Sequence, residues 1–343
     1  MGLPGFLFAP HLLRFMGAPF DLVLTGSRYT STVFAGTASV VLLFINNAIF
    51  RGAGDAAVAM RVLWFSNLIN LILDPLFIFG VGPFPTLGVT GAAVATLIGR
   101  SCGVVYQLAI LSGGGSRIAV RLSHMRVNPH VIVTLIRVSS TGVLQFIIAH
   151  TSWIALVRMV STFGSIAVAG YTIAIRVFIF VLLPSWGLSG AAATMVGQNL
   201  GARKPERAAR AVYLRCLYNM IFLGAIALIM LTLPQAIVHV FTRDAQVVPF
   251  AVDCLTIVAW GNLFYASGMV MIQAFNGAGD TVTPTIINVF GFWLCQIPLA
   301  LVLAYRAHLE VRGVFMAIPI SEFFISAAGL IVFLRGGWKT KMI

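Results

Sequence analysis

Apolar segments of about 20 residues or more, with almost no charge inside them, leave this chain few ways to fold. They run at about 20–48, 56–80, 87–111, 130–160, 168–198, 209–234, 246–274, 281–305 and 312–334. Clusters such as Gly82-Pro-Phe-Pro, Gly113-Gly-Gly and Gly201-Ala-Arg-Lys-Pro punctuate them. Charged residues make up 9% of the chain and apolar ones 59%, against roughly 25% and 45–50% in a soluble domain. Such a chain cannot cover itself with polar surface. The alternating pattern of a membrane β-barrel is absent. The sequence therefore predicts an all-α, polytopic membrane protein with nine spans. A stub precedes them: Leu3–Leu13 is too short to cross a bilayer and is broken by Pro4 and Pro10.

The net charge of +13 comes mostly from Lys and Arg in short loops, which sets orientation rather than a nucleic-acid surface. One side carries Arg51, Arg61, Arg117, Arg121, Arg126, Arg203, Lys204, Arg207, Arg210, Arg215, Arg335, Lys339 and Lys341. The other carries Arg14, Arg243, Arg306 and Arg312. The richer side is expected in the cytoplasm, and the C-terminus with it. Cys102, Cys216, Cys254 and Cys295 lie singly in apolar segments and read as small core residues. The opening MGLPGFLFAP has no charged n-region or cleavage site, so no signal peptide is expected.

The chain also repeats itself. Phe50-Arg-Gly-Ala-Gly-Asp55 returns 225 residues later as Phe275-Asn-Gly-Ala-Gly-Asp280. At the same offset Val23 meets Val248, Gly36 meets Gly261, Gly88-Val89 meets Gly313-Val314, and Ser101 meets Ser326. Six spans separate the copies. An even number makes the halves parallel, related by an axis along the membrane normal. Residues 129–225 find no earlier partner, so ~100 residues holding nearly three spans are expected to be missing from the first half. A late start or a fragment is the expected reason.

Three acids fall inside spans, where a charge costs ~2.5–3.5 kcal/mol on insertion scales. Asp253 lies near a span end and Glu322 deeper, with Ser321 and Ser326 beside it. Asp74 is the strongest candidate. Asn70 stands four residues before it, on the same helix face, and Pro75 follows. Proline loosens the helix there and frees carbonyl oxygens. A carboxylate, an amide and free carbonyls are what a proton or a hard cation such as Na⁺ would use. His150 lies mid-span and is either a proton relay or a packed ring. The Gly52-Ala-Gly54-Asp55 motif lacks the GK[ST] ending of a phosphate loop and reads as a turn. No zinc, haem or nucleophile constellation occurs, so an enzyme is not expected, nor any cofactor beyond a coupling ion.

FRGAGD…NLILDPLFIFG, LGVTGAAVAT, GYTIAIRVFIFVLLPSWGLSGAAATMVGQNLGARKPERA and FNGAGDTVTP resemble the multidrug and toxic compound extrusion (MATE) family. The resemblance runs from about Leu12 to the C-terminus, and VGQNLGARKPERA is its most specific part. It implies two six-span lobes, working by alternating access in the cell inner (plasma) membrane. It also implies a secondary antiporter, taken as a monomer, that expels organic cations and amphipathic drugs in exchange for H⁺ or Na⁺. On that pattern residues 1–112 are a partial N-terminal lobe holding the end of the third span and spans 4–6. Residues 113–129 are a cytoplasmic linker, and 130–343 the C-terminal lobe with spans 7–12. The family's first-lobe cation site falls on Tyr29, Asn47, Asn70, Asp74 and Thr96. Its second-lobe acids fall on Ala149, beside His150, and on Tyr265. His150, Asp253 and Glu322 are thus weaker candidates. The rival readings are a flippase for lipid-linked oligosaccharides, which would use Arg100, Arg158 and Arg176, and a transport-incompetent truncated product. Small amphipathic or cationic molecules and membrane lipids are the expected partners, and nucleic acid is not.

Overall fold

The computed structural model describes residues 2–15, 20–114, 117–120 and 128–340; Arg121, Arg126 and Lys341 lie outside them. The described residues form helices and connecting turns, with no strand among them. Helix α1 spans Gly2–Phe15, α2 Phe20–Ala35, α3 Thr37–Gly52, α4 Ala56–Phe79 and α5 Val89–Gly113. Then come α6 Pro129–Ser161, α7 Ser165–Gly201, α8 Pro205–Thr232, α9 Pro234–His239 and α10 Val247–Gly277. Last are α11 Val282–Arg306 and α12 Glu310–Leu334. Eight of these are long and apolar enough to cross a membrane, or nine spans if α2 and α3 are counted as one.

That pair corrects the expected continuous span over 20–48. The helix breaks at Gly36 and bends by 41°. A side chain at Gly36 would put its Cβ 3.1 Å from Leu97 Cδ1 on α5, so the bend lets the helix lie close against α5. Proline shapes α11 in a comparable way. Pro298 has no N–H to return to the preceding turn, and stretches wound as π-helix flank it at Val289–Gln296 and Val302–Arg306.

The chain divides into two compact units, Met1–Arg126 and Val127–Ile343. In the first, α5 packs against α2, α3 and α4, and α1 against α2. In the second, α10 is central and packs against α7, α8 and α12. Large apolar side chains such as Trp64, Leu71 and Phe180, each more than 70% exposed, cover the outer faces. Lipid is the solvent that suits them.

The repeat is written into the backbone. Ala53 N donates to Ile49 O, Gly54 N to Arg51 O and Asp55 N to Phe50 O. At the same offset Ala278 N donates to Ala274 O, Gly279 N to Asn276 O and Asp280 N to Phe275 O. Gly54 and Gly279 both take the left-handed conformation, with φ of 82° and 76°. That closes the helix end as a Schellman-type cap, which explains why glycine recurs there. The kinks repeat as well. Non-helical Phe8 (φ −106°) lies 225 residues before Leu233 (φ −127°), where α8 breaks into α9.

Candidate functional site

In unit 1 one group of polar side chains lies on the seam between α4 and α5. Ser66, Asn70 and Asp74 follow one another at four-residue spacing, so they form a stripe along one face of α4. Ser66 Oγ donates to Gly99 O at 2.8 Å. Asn70 Nδ2 donates to Asp74 Oδ1 at 3.2 Å and to Thr96 Oγ1 at 3.3 Å. Pro75, next in the chain, removes the N–H that would close on the Leu71 carbonyl. Asn70, Asp74 and Thr96 are half-buried. The result is a carboxylate held by an amide that also donates to a hydroxyl, with a spare backbone acceptor one turn away.

Gly99 sets that geometry. A Cβ there would lie 2.8 Å from Ser66 O and 3.2 Å from Asn70 Cβ. Only glycine lets Thr96, three residues earlier on the same face, come within bonding distance of Asn70. Gly99→Val is expected to push α5 off α4 at a cost of ~1–3 kcal/mol. Chemical unfolding of the detergent-solubilised chain measures it; a loss under about 0.5 kcal/mol would show the seam to be loose.

Asn47 and Tyr29 are not in this set. Asn47 is 1% exposed, and its Oδ1 accepts from Gln107 Nε2 at 3.0 Å. The same nitrogen donates to Leu43 O at 3.1 Å, and Gln107 Oε1 accepts from Asn46 Nδ2 at 3.2 Å. Gln107 stands eleven residues after Thr96 on α5, about 16 Å along the helix. Asn47 is thus bound into a buried amide cluster remote from Thr96. Tyr29 lies on α2 and is 39% exposed. Gln107 went unnoticed in the sequence, although a glutamine in CGVVYQLAIL is the type of residue that needs buried partners.

The weaker candidates separate in unit 2. Asp253 on α10 pairs with Arg312 on α12 at 2.6 Å, with 64% of the arginine side chain exposed. A partly exposed pair of this kind contributes about 0–1 kcal/mol. Arg312→Gln is therefore expected to shift the unfolding midpoint little. A large loss of stability or of transport would give Asp253 a role this geometry does not.

His150 stacks on Phe146, ring centroids 3.7 Å apart, and its Nδ1 lies 2.9 Å from Phe146 O. Half of the ring's hydrogen-bonding capacity is thus used within its own helix. Glu322 on α12 is 5% exposed and borders a recess of about 270 Å³ walled by Trp153, Phe178, Trp186, Tyr265 and Phe292. Ala149, His150 and Tyr265 also face it, so the positions matched to the family's second-lobe acids do converge on one recess. A second recess of about 180 Å³ shares Trp186, Tyr265, Phe292 and Glu322. Arg100, Arg158 and Arg176, which an anionic cargo would need, line neither.

Two units of packed helices that share a repeated sequence and carry buried polar sites define a multi-pass membrane protein of duplicated architecture. The MatE family model matches residues 1–76 and 143–302, well over half of the sequence, and the chain belongs to that family. It is 25% identical over 342 residues to the probable multidrug resistance protein YoeA of Bacillus subtilis, covering 99% of this chain and 74% of that one. Against the FAD transporter of Shewanella oneidensis it is 28% identical, covering 94% and 71%. Among solved structures, the outward-facing conformation of a multidrug resistance MATE family transporter of the MOP superfamily superposes with a TM-score of 0.89. Identity there is 23%, over 99% of this chain and 77% of that one.

Proposed function

We propose that the chain is a secondary antiporter that exports amphipathic or cationic small molecules in exchange for H⁺ or Na⁺. Its setting is the cell inner (plasma) membrane, with the C-terminus and the 113–129 linker in the cytoplasm. The observation that carries the coupling role is the Asn70–Asp74–Thr96 set beside Pro75. An ionised Asp74 accepts from the Asn70 amide. A proton arriving on Asp74 makes one of its oxygens a donor and the other a weaker, uncharged acceptor, and Na⁺ would require amide oxygen in place of amide nitrogen. Either ion weakens the bond between Asn70 and the carboxylate, at the point where proline has already weakened the helix. Ion occupancy and helix shape are thereby linked, as alternating access requires.

Relatives named as multidrug resistance proteins support the choice of cargo. The FAD transporter suggests a second, anionic cargo. The two recesses bordered by Glu322 carry no Lys or Arg, which favours cations there, whereas another recess of unit 2 is lined by Arg207 and Arg210. Expression in a bacterial strain stripped of its own efflux pumps tests the reading. The expected result is a several-fold rise in the tolerated concentration of ethidium, abolished when an ionophore collapses the ion gradient. Unchanged tolerance in cells whose membranes contain the folded chain would contradict it.

A further inference from the structure

Unit 2 also holds arginines to which neither ion coupling nor export assigns a task. A recess of about 580 Å³ lies between α7 and α8, beside the turn that joins them. One face of each helix supplies its walls. Met195, Gln198 and Asn199 stand at helical spacing on α7, and Arg207, Arg210 and Leu214 on α8. Among the described residues no carboxylate pairs with Arg207 or Arg210. Glu206 stands four residues before Arg210, the spacing of a helical ion pair, yet Lys339 Nζ holds it at 2.8 Å. Arg215, further along α8, reaches only the Met195 sulfur, a weak acceptor 3.5 Å from its Nη2. Positive charge thus gathers at this recess without a carboxylate to balance it.

The recess grades from polar to apolar. From Arg207 to Leu214 is about 10 Å along α8. Past Leu214 the same face continues through Leu217, Tyr218 and Ile221, each more than half exposed. A charged end followed by an apolar track is the outline of an amphiphile, and arginines at a membrane surface attract anionic lipid. A small soluble anion would use the arginines and leave the track idle. We infer that this recess seats the phosphate of an anionic phospholipid. Arg207 and Arg210 hold the phosphate oxygens through the forked hydrogen bonds that guanidinium offers, and Gln198 adds a neutral donor. An acyl chain lies along Leu214, Leu217 and Ile221.

A lipid held this way bridges α7 and α8 at their shared turn. Neither Asp74 nor Glu322 lines the recess, so the seat stands apart from ion coupling and does not rest on the export reading. Both arginine side chains are exposed, so changing them leaves the core of unit 2 untouched.

The test is native mass spectrometry of the detergent-solubilised chain titrated with dioleoyl phosphatidylglycerol, or with dioleoyl phosphatidylcholine as a zwitterionic lipid of the same chains. The first phosphatidylglycerol is expected to bind about ten-fold tighter or more. Arg207→Gln with Arg210→Gln should remove that preference. Arg243→Gln with Arg306→Gln takes equal charge from the other side and should keep it within about two-fold. Soluble glycerophosphate, a head group without chains, should fail to displace the lipid at equal concentration. Displacement would assign the recess to a soluble anion and overturn the inference. Equal binding of the two lipids overturns it too, as does a preference that survives loss of Arg207 and Arg210 or falls as far in the control pair. Should the Arg207/Arg210 variant fail to fold, the wild-type protein still decides. Nanodiscs of phosphatidylglycerol must slow phenylglyoxal modification of Arg207 and Arg210, relative to Arg243, below the rate in phosphatidylcholine. Peptide mass spectrometry reads the rates, and equal ones sink the seat.

Discussion

Asp74→Asn is expected to reduce ion-driven export by ~100-fold or more, equivalent to about 2.7 kcal/mol. The chain should remain folded. Asparagine is nearly isosteric with aspartate, and its side-chain oxygen still accepts the Asn70 amide, so the helix face keeps its bond. What it loses is the ability to take up a proton or to neutralise a cation. Asn70→Ala should act differently. It removes the link to both Asp74 and Thr96 but leaves the carboxyl, so coupling weakens without vanishing. Ethidium flux into everted membrane vesicles, with and without an imposed ion gradient, measures both. Gradient-dependent flux that persists in Asp74→Asn would move the coupling site elsewhere.

Gln107→Leu is expected to be the most damaging single change to stability in unit 1, at about 2–3 kcal/mol. Gln107 is fully buried and ties α5 to Asn46, Asn47 and the Leu43 carbonyl of α3. Leucine fills similar space and answers none of these groups. Two buried side-chain amides lose partners, each worth ~1–3 kcal/mol when left unsatisfied. Measured hydrogen bonds between membrane helices are weaker, ~0.6 kcal/mol on average and up to ~1.7, which sets the lower part of the expected range. Unfolding in increasing denaturing detergent gives the loss. Pairing Gln107→Leu with Asn47→Ala should give much less than the sum of the single effects. Additive losses would mean that the cluster is not one unit.

These two sites mark how far the sequence can be read. The spans, the turns at Gly54 and Gly279 and the duplication were legible because long apolar runs and left-handed glycines are local requirements. Asn70 and Asp74 were legible for the same reason, since a four-residue spacing places both on one helix face. Thr96 joined them only through family resemblance, and its contact depends on Gly99, whose role is tertiary. Asn47 entered only through the family resemblance. Its contact with Gln107 on α5 is tertiary, and no local pattern reveals it. The break at Gly36 was invisible because the run from 20 to 48 stays apolar through it, and the bend answers to packing against Leu97. Glu322 stood out as a buried acid, but the aromatic recess around it draws on helices α6, α7, α10 and α11, which no local pattern reveals.

The central claim is that cargo movement is exchanged for an ion at Asp74. The most direct measurement uses proteoliposomes containing the purified chain, loaded with an internal pH or Na⁺ gradient and monitored for its decay. Added ethidium should accelerate dissipation of one of these gradients in the wild-type protein, and Asp74→Asn should abolish that acceleration. Ethidium crossing the membrane at the same rate with or without a gradient, and dissipating neither, would contradict the account.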